Sequence, residues 1–236
     1  LALLAEGRQV IFLEELREGL VLKDKLYGVL ARIFSKTALR LGGASNDPNA
    51  PAIVLFTSGF AEVCETGAIV QRQIGALAQT SGMRILGPNC LGVMSGESGV
   101  YATFSPVAGT GIVKQGNIGL VSQSGAFGGF AYSLARERGI GLSHWVTTGN
   151  EADVDMSDCL DWMIDDASTR VILAYMEGCR DGAKLVRVLD KARAARKPIV
   201  VVKVGRTDLG AAAAASHAAA LAGADAIYDA VFKQYG

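Results

Sequence analysis

Histidine is scarce in this chain: among 236 residues there are only His144 and His217. Cysteine is little commoner, with Cys64, Cys90, Cys159 and Cys179 far apart, no CxxC pair and no histidine at ligand spacing. That argues against a disulfide framework and a zinc site, and no metal is expected. Free thiols in a reducing cytoplasm, each serving as buried filler, are the simplest account. Charge of one sign is not in excess, since 23 Lys and Arg balance 23 Asp and Glu. No basic run with interleaved aromatics occurs, so neither a nucleic acid nor a membrane surface is expected as a partner. No apolar run is long enough to span a membrane, and the opening LALLAEGRQ lacks the basic start and small-residue cleavage site of a signal peptide. Leu1 in place of Met is what a fragment or an incomplete reading frame would show.

What is present is a chain that is half hydrophobic, with 29 glycines spread among apolar runs. This suits an α/β protein with many tight strand-to-helix turns. Residues 2–34 read as one or two amphipathic helices, and 38–41 as a short strand running into Gly42-Gly43-Ala44-Ser45-Asn46-Asp47-Pro48. Small residues there allow a backbone to approach a phosphate closely, though a GxGxxG fingerprint is absent and an ordinary turn is the simpler reading. Beyond it, apolar runs predict strands at 52–56, 84–86, 118–121, 142–147, 171–175 and 199–204. Helices are predicted at 66–80, 127–138, 156–165, 183–196 and 224–235, and Gly- and Ser-rich residues 95–115 read as a linker or an irregular hairpin. Uninterrupted apolar strands between amphipathic helices predict a parallel sheet covered on both faces, with ligands at the carboxyl ends of its strands.

Three of the resulting turns could carry chemistry. Ser122-Gln123-Ser124-Gly125 ends a strand and opens a helix, so its amides and two hydroxyls could form an anion site. With no Lys it is not a Walker A loop, and a plain N-cap is the equal alternative. Small residues either side of Ser124 also resemble a degenerate nucleophile elbow, which would make it a serine hydrolase. Gly149 to Asp155 is acidic, and Asp155 with Asp158 reads as a helix cap. Glu177 follows a strand and could hold an imidazole in one tautomer, or could be a solvated loop acid. His144 reads as structural, and Asp165 and Asp166 as helix-end surface. His217 stands in an Ala- and Gly-rich segment between Gly205 and Asp225, where no bulky neighbour would hold it still.

Six stretches, TSGFAE at 57–62, GMRILGPNCLGV at 82–93, GNIGLVSQSGAFG at 116–128, TTGNEADVD at 147–155, YMEGCRDG at 175–182 and KVGRTDLG…ASHAAALAG at 203–223, occur in this order. Together they resemble the nucleoside-diphosphate-forming acyl-CoA synthetases, relatives of the succinyl-CoA synthetase alpha subunit. The resemblance covers about residues 52–236. It implies that His217 is phosphorylated, that Glu177 orients it, and that Ser122, Ser124 and Gly125 offer a helix N-terminus to the phosphoryl group. Ala218 stands where the family more often has Thr. The resemblance also implies coenzyme A contacts at Phe56, Thr57 and Ser58 and at a signature containing Gly43, Ala44, Ser45 and Asn46.

The fold it implies is a shortened Rossmann-like CoA-binding domain followed by a flavodoxin-like, doubly wound parallel sheet. The expected division is 1–35 helical, 36–94 CoA-binding, 95–115 linker and 116–236 flavodoxin-like. The activity implied is an acid–thiol ligase, in which an ATP-grasp subunit or domain supplies ATP/ADP and Mg2+ and a small carboxylic acid is joined to coenzyme A, in an oligomer. A non-catalytic CoA- or nucleotide-binding regulatory module of an acyltransferase is the alternative within the family.

Overall fold

The computed structural model describes residues 52–206 and 225–235. Its first elements are a pair of three-residue strands, β1 (Ala52–Val54) and β2 (Arg84–Leu86), which run parallel with Ala52 opposite Arg84. The crossover between them is helix α1 (Glu65–Ser81), which buries Gly67, Gln71, Ile74, Gly75 and Ala78 at helical spacing against the strands. It stops at Gly82, whose left-handed φ of 68° lets the chain turn back at once into β2.

A hairpin follows: β3 (Gly92–Ser95) and β4 (Val100–Thr103) pair antiparallel, Gly92 opposite Thr103. One turn of helix, α2 (Pro106–Gly109), is started by the Ser105 hydroxyl accepting from the Val107 amide and by Pro106 at its first position. The stretch expected as a linker or irregular hairpin thus contains a regular strand and a capped helical turn.

From there strand and helix alternate: β5 (Gln115–Ser122), α3 (Gly125–Glu137), β6 (Leu142–Thr147), α4 (Met156–Asp165), β7 (Val171–Met176), α5 (Gly182–Ala194), β8 (Ile199–Lys203) and α6 (Asp225–Tyr235). The six-stranded sheet has the order β4-β3-β6-β5-β7-β8. Its last four strands are parallel, and numbered from β5 they run 2-1-3-4, the order of a flavodoxin-like doubly wound sheet. β3 joins β6 antiparallel, Gly92 opposite Thr147, so the upstream hairpin extends the same sheet.

One face of the sheet carries Val121, Val146, Ile172, Ala174 and Met176 into a core with Met163 of α4, Val188 of α5 and Tyr228 of α6. The other face carries Leu120, Leu142 and Trp145 against Tyr132 and Ala135 of α3. Every residue of β6 is buried, the polar Ser143, His144 and Thr147 included, as befits a strand covered on both faces. Val200 and Val202 of edge strand β8 remain about half exposed, at 52% and 47%, with Phe130 of α3 exposed on the same side of the sheet. Cys90 and Cys159 are buried and Cys179 is half-buried, but Cys64, at the start of α1, is exposed: a cap position faces water, so it is not buried filler. Among the described residues, no helix is long and apolar enough to cross a membrane.

Candidate functional site

β5 lies between β6 and β7, so the crossovers leaving β5 and β6 go to opposite sides, and a crevice opens at the carboxyl ends of these strands. Three turns line it: 122–125 after β5, 148–155 after β6 and 177–181 after β7.

The first turn is built to start a helix. Ser124 is the N-cap of α3, and its hydroxyl accepts from the Phe127 amide at 3.3 Å. The amides of Gly125 and Ala126 stand in the first turn, where no intrahelical acceptor reaches them and the helix dipole is positive. Ser122 is fully buried, and its hydroxyl donates to the Ser124 carbonyl at 2.6 Å, so it shapes the turn from within. Phe127 stacks on Tyr175 of β7 with ring centroids 4.0 Å apart, tying the helix start to the next strand. Ser124 has φ −85° and ψ 121°, ordinary extended backbone, and its hydroxyl is engaged as a cap. A nucleophile elbow needs the strained, exposed opposite, so the hydrolase reading has no support here.

The second turn holds three buried polar residues, Thr148, Asn150 and Glu151. Asn150 donates to Gln71 Oε1 at 2.9 Å and to Glu62, and accepts from Asn89 at 3.2 Å, joining the turn to α1 and to the Gly87–Cys90 turn. Glu151 is 4% exposed and has a left-handed φ of 57°. Its carboxylate accepts from the Thr148 hydroxyl at 2.8 Å and from the Met156 amide at 2.9 Å. Burial pushes this carboxyl up to about 7, with the Asp155 charge adding to the effect and hydrogen bonds from Thr148, Gln123 and Met156 opposing it. Asp155 and Asp158 form a reciprocal capping box on α4, as their spacing predicts.

The third turn carries Glu177, half-buried, then buried Gly178. Both main-chain amides donate to one atom, Gln123 Oε1, at 2.6 and 3.0 Å, while the Gln123 side-chain nitrogen donates to the Gly178 carbonyl at 2.9 Å. Lys203, at the end of β8, donates to the Glu177 carbonyl at 2.9 Å and lies over the Tyr228 ring at 4.6 Å. The Glu177 turn and the start of α3 are therefore joined through Gln123 at the carboxyl end of the sheet.

Of the coenzyme A contacts expected, Phe56 packs edge-on against Phe104 at 5.3 Å, and Thr57 and Ser58 are exposed in the turn after β1. That turn is set by Glu62, which accepts from the Gly59 amide at 2.6 Å. Burial raises the Glu62 carboxyl, but hydrogen bonds from Gly59, Asn150 and Phe60 outweigh it and the net shift is downward. His217 and Gly43, Ala44, Ser45 and Asn46 lie outside the described residues. The chain enters the stretch containing His217 after Arg206 and resumes at Asp225, and Arg206 pairs with Asp229 at 3.0 Å.

A family described as "Succinyl-CoA ligase like flavodoxin domain" matches residues 115–236, more than half of the chain. The chain belongs to that family. The alpha subunit of ADP-forming acetate–CoA ligase I of Pyrococcus furiosus is 45% identical over 184 residues, covering 78% of this chain and 39% of that protein. The ADP-forming 4-hydroxybutyrate–CoA ligase of Nitrosopumilus maritimus is 40% identical over 187 residues, covering 78% of this chain and 26% of that protein. Among solved structures, the dinucleotide forming acetyl-coenzyme A synthetase 1 of Ca. Korarchaeum cryptofilum, in complex with phosphate and ADP, superposes with a TM-score of 0.69 at 40% identity. That superposition covers 78% of this chain and 39% of the other. The chain thus spans about two fifths or less of the length of these relatives.

Within this succinyl-CoA ligase-like domain, two residues matter that the sequence reading did not single out, Gln123 and Glu151. A polar residue flanked by serines in a turn reads as solvated. Nothing local to Gln123 indicates an amide 54 residues downstream as its partner.

Proposed function

We propose that this chain is the phosphohistidine-bearing component of an NDP-forming acid–CoA ligase, converting a carboxylate, coenzyme A and ATP into an acyl-CoA, ADP and phosphate. The observation that carries the reading is the Gln123 side chain, which fastens the Glu177 turn to the start of α3. It supports a crevice in which a carboxylate able to orient an imidazole and a helix N-terminus able to hold a phosphoryl group face the same space. The names of the relatives, which cover ADP-forming acetate–CoA and 4-hydroxybutyrate–CoA ligases, support the same chemistry.

In this reading ATP bound on an ATP-grasp subunit or domain, with Mg2+, gives its γ-phosphoryl group to a His217 ring nitrogen and leaves as ADP. Glu177 fixes the tautomer of the attacking imidazole, and the Gly125 and Ala126 amides, capped by Ser124 and shaped by Ser122, bear the phosphoryl charge. The phosphoryl group then passes from His217 to a carboxylate oxygen of the acid, which turns a poor electrophile into an activated acyl group. The thiolate of coenzyme A attacks the acyl carbon, and phosphate departs with the bonding pair.

Residues 116–236 are the phosphoryl-handling domain and 36–94 the remainder of the CoA-binding one. Gly43, Ala44, Ser45, Asn46, Phe56, Thr57 and Ser58 line its coenzyme A site. The ligase works in the cytoplasm as an oligomer.

The test is intact mass at neutral pH after incubation with Mg-ATP and an ATP-grasp partner, beside a His217→Ala control. An acid-labile phosphate on the wild type alone supports the relay. A folded chain that takes up none from an active partner refutes it and leaves the regulatory module.

A further inference from the structure

The turn that follows β1, residues 57–62, is curled by its own hydrogen bonds but anchored by others. Glu62 Oε1 accepts from the Gly59 amide at 2.6 Å and from the Phe60 amide at 3.2 Å, which shapes the turn without tying it to its surroundings. The ties are made at three points. Gln71 of α1 accepts the Ala61 amide on Oε1 at 3.3 Å, and the amide of Asn89, beyond β2, donates to the Thr57 carbonyl at 3.0 Å. The third is the other carboxylate oxygen of Glu62.

All three points meet one side chain, that of Asn150, which is 6% exposed in the turn after β6. Its Nδ2 donates to Glu62 Oε2 and, at 2.9 Å, to Gln71 Oε1, while its Oδ1 accepts from Asn89 Nδ2 at 3.2 Å. Both N–H groups of the amide are thus spent on acceptors whose identity is settled, a carboxylate and an oxygen already facing a main-chain amide. Asn150 is itself held firmly. Its amide donates to the Pro88 carbonyl at 2.8 Å, and its carbonyl accepts from Gln71 Nε2 at 3.3 Å. The Ala152 amide donates to the Gly87 carbonyl at 2.9 Å and the Val154 amide to the Ile85 carbonyl at 3.1 Å, so the segment lies zipped along the end of β2.

We propose that Asn150 is a positioning residue for the turn that carries Thr57 and Ser58: its side-chain amide holds Glu62, Gln71 and Asn89, and these fix the main chain from 57 to 61. A residue of the phosphoryl-handling domain thereby sets the place of a coenzyme A contact. The register between the cofactor and the crevice is then built into one buried amide rather than left to the packing of two domains. The duty of Thr57 and Ser58 toward coenzyme A rests on the ligase reading above, whereas the hold on the turn does not.

The test uses the separate duties of the two Glu62 oxygens, read by amide hydrogen exchange on the full chain. Asn150→Asp sets a carboxylate oxygen against Glu62 Oε2 and Gln71 Oε1. It should speed exchange at Gly59, Phe60 and Ala61 about tenfold, while Leu120 and Val146 in the core keep their rates. Glu62→Gln either sets one NH2 against another or turns and gives up the two amides, so exchange at Gly59 and Phe60 should rise about threefold. Combining the two restores a donor and an acceptor with their places exchanged. The introduced glutamine keeps its oxygen on the Gly59 and Phe60 amides and offers its nitrogen to the introduced aspartate. The double variant should therefore exchange more slowly than Asn150→Asp, a rescue that mere loosening of the fold would not give. Wild-type exchange in Asn150→Asp, or a double variant faster than it, overturns the proposal. If Asn150→Asp does not fold, Glu62→Gln decides, and wild-type rates at Gly59 and Phe60 there overturn it.

The same variants, assembled with an ATP-grasp partner, supply the functional readout. In Asn150→Asp the KM for coenzyme A should rise about tenfold, more than the KM for the acid rises and more than kcat falls, and the double variant should recover most of it. Equal changes in both KM values, or a loss in kcat alone, overturn the proposal. Exchange needs neither ATP nor a partner, so failure of His217 to take up phosphate would remove the relay and leave the hold on the turn to be judged by exchange. An active ligase whose KM for coenzyme A does not move in Asn150→Asp would do the reverse.

Discussion

The two ends of strand β6 each carry a buried titratable group, and they are buried to different purpose. At the amino end, His144 is 4% exposed, with Nε2 3.0 Å from Asp166 Oδ2 and its ring edge-on to Trp162 at 4.7 Å. The same Asp166 oxygen accepts the hydroxyls of Ser168 at 2.7 Å and Thr169 at 2.5 Å, and Thr169 meets Ser143 at 2.8 Å. Glu97 also comes near, and the ligating atoms of Glu97, His144 and Asp166 lie within 4.8 Å of one another. The acceptor oxygen is already shared by three donors, so the arrangement is a satisfied hydrogen-bond cluster rather than an open set of ligands. At the carboxyl end, Gln123 instead joins the turn after β5 to the turn after β7, and Glu151 joins the turn after β6 to the start of α4. The first cluster closes the fold and the second positions a surface, and displaced ionisation alone does not tell them apart.

Removing the shared acceptor at the amino end should have the largest effect. Asp166→Ala leaves three donors without it and should cost about 4 kcal/mol, read from urea unfolding midpoints at neutral pH. A loss below 1 kcal/mol would place both ends in one class.

The ends should also respond to pH with opposite sign. Glu151 is raised from 4.5 to about 7 in the folded chain, so its contribution to stability is fully present below 4.5 and is lost as pH rises to about 7. The change amounts to about 3 kcal/mol, and Glu151→Gln should abolish it. For His144, burial outweighs the pull of Asp166 and Glu97, and its folded value falls below 6.5. Its contribution is therefore present above 6.5 and lost as pH falls through the folded value, a slope that His144→Gln should remove. Unfolding midpoints of wild type and both variants across this range separate the two slopes.

Smaller effects probe the packing beneath the carboxyl end. A Cβ at Gly128 would sit 2.7 Å from Thr147 Cγ2 and 3.4 Å from Ser122 Cβ, so Gly128→Ala should cost about 2 kcal/mol and shift the α3 N-terminus. Thermal unfolding and the amide shifts of Gly125 and Ala126 report both. Phe130→Ser, on the exposed side of the same helix, should change stability by less than about 0.5 kcal/mol.

Much of this architecture was legible because its elements are long and uniformly patterned. The strands 142–147 and 84–86 and the helix 156–165 stand where apolar runs and the Asp155–Asp158 cap predict them. The hairpin was not legible as two regular strands. β3 is four residues, all buried, and β4 is four residues, all half-buried, so neither shows an alternation, and only glycines at 96 and 99 mark the turn between them. Asp166 was misjudged as solvated surface, because the helix-end position that invites that reading also faces His144. Residue type and turn position were enough to mark Glu177 and the Ser122–Gly125 turn as candidates. They could not reveal the glutamine between them, since its meaning lies in partners on other strands.

The antiparallel pairing of β3 with β6 bears on what can be excised or exchanged as a unit. The family match begins at 115, but Thr147 Oγ1 accepts from the Leu91 and Gly92 amides at 2.7 and 3.0 Å, and Met94 lies opposite Trp145. A piece cut at that sequence boundary would bare the hydrogen-bonding flank of β6 to water or to any stray strand. The heritable module and the independently stable one therefore have different borders, and a graft of this chemistry onto another scaffold would have to carry the hairpin with it.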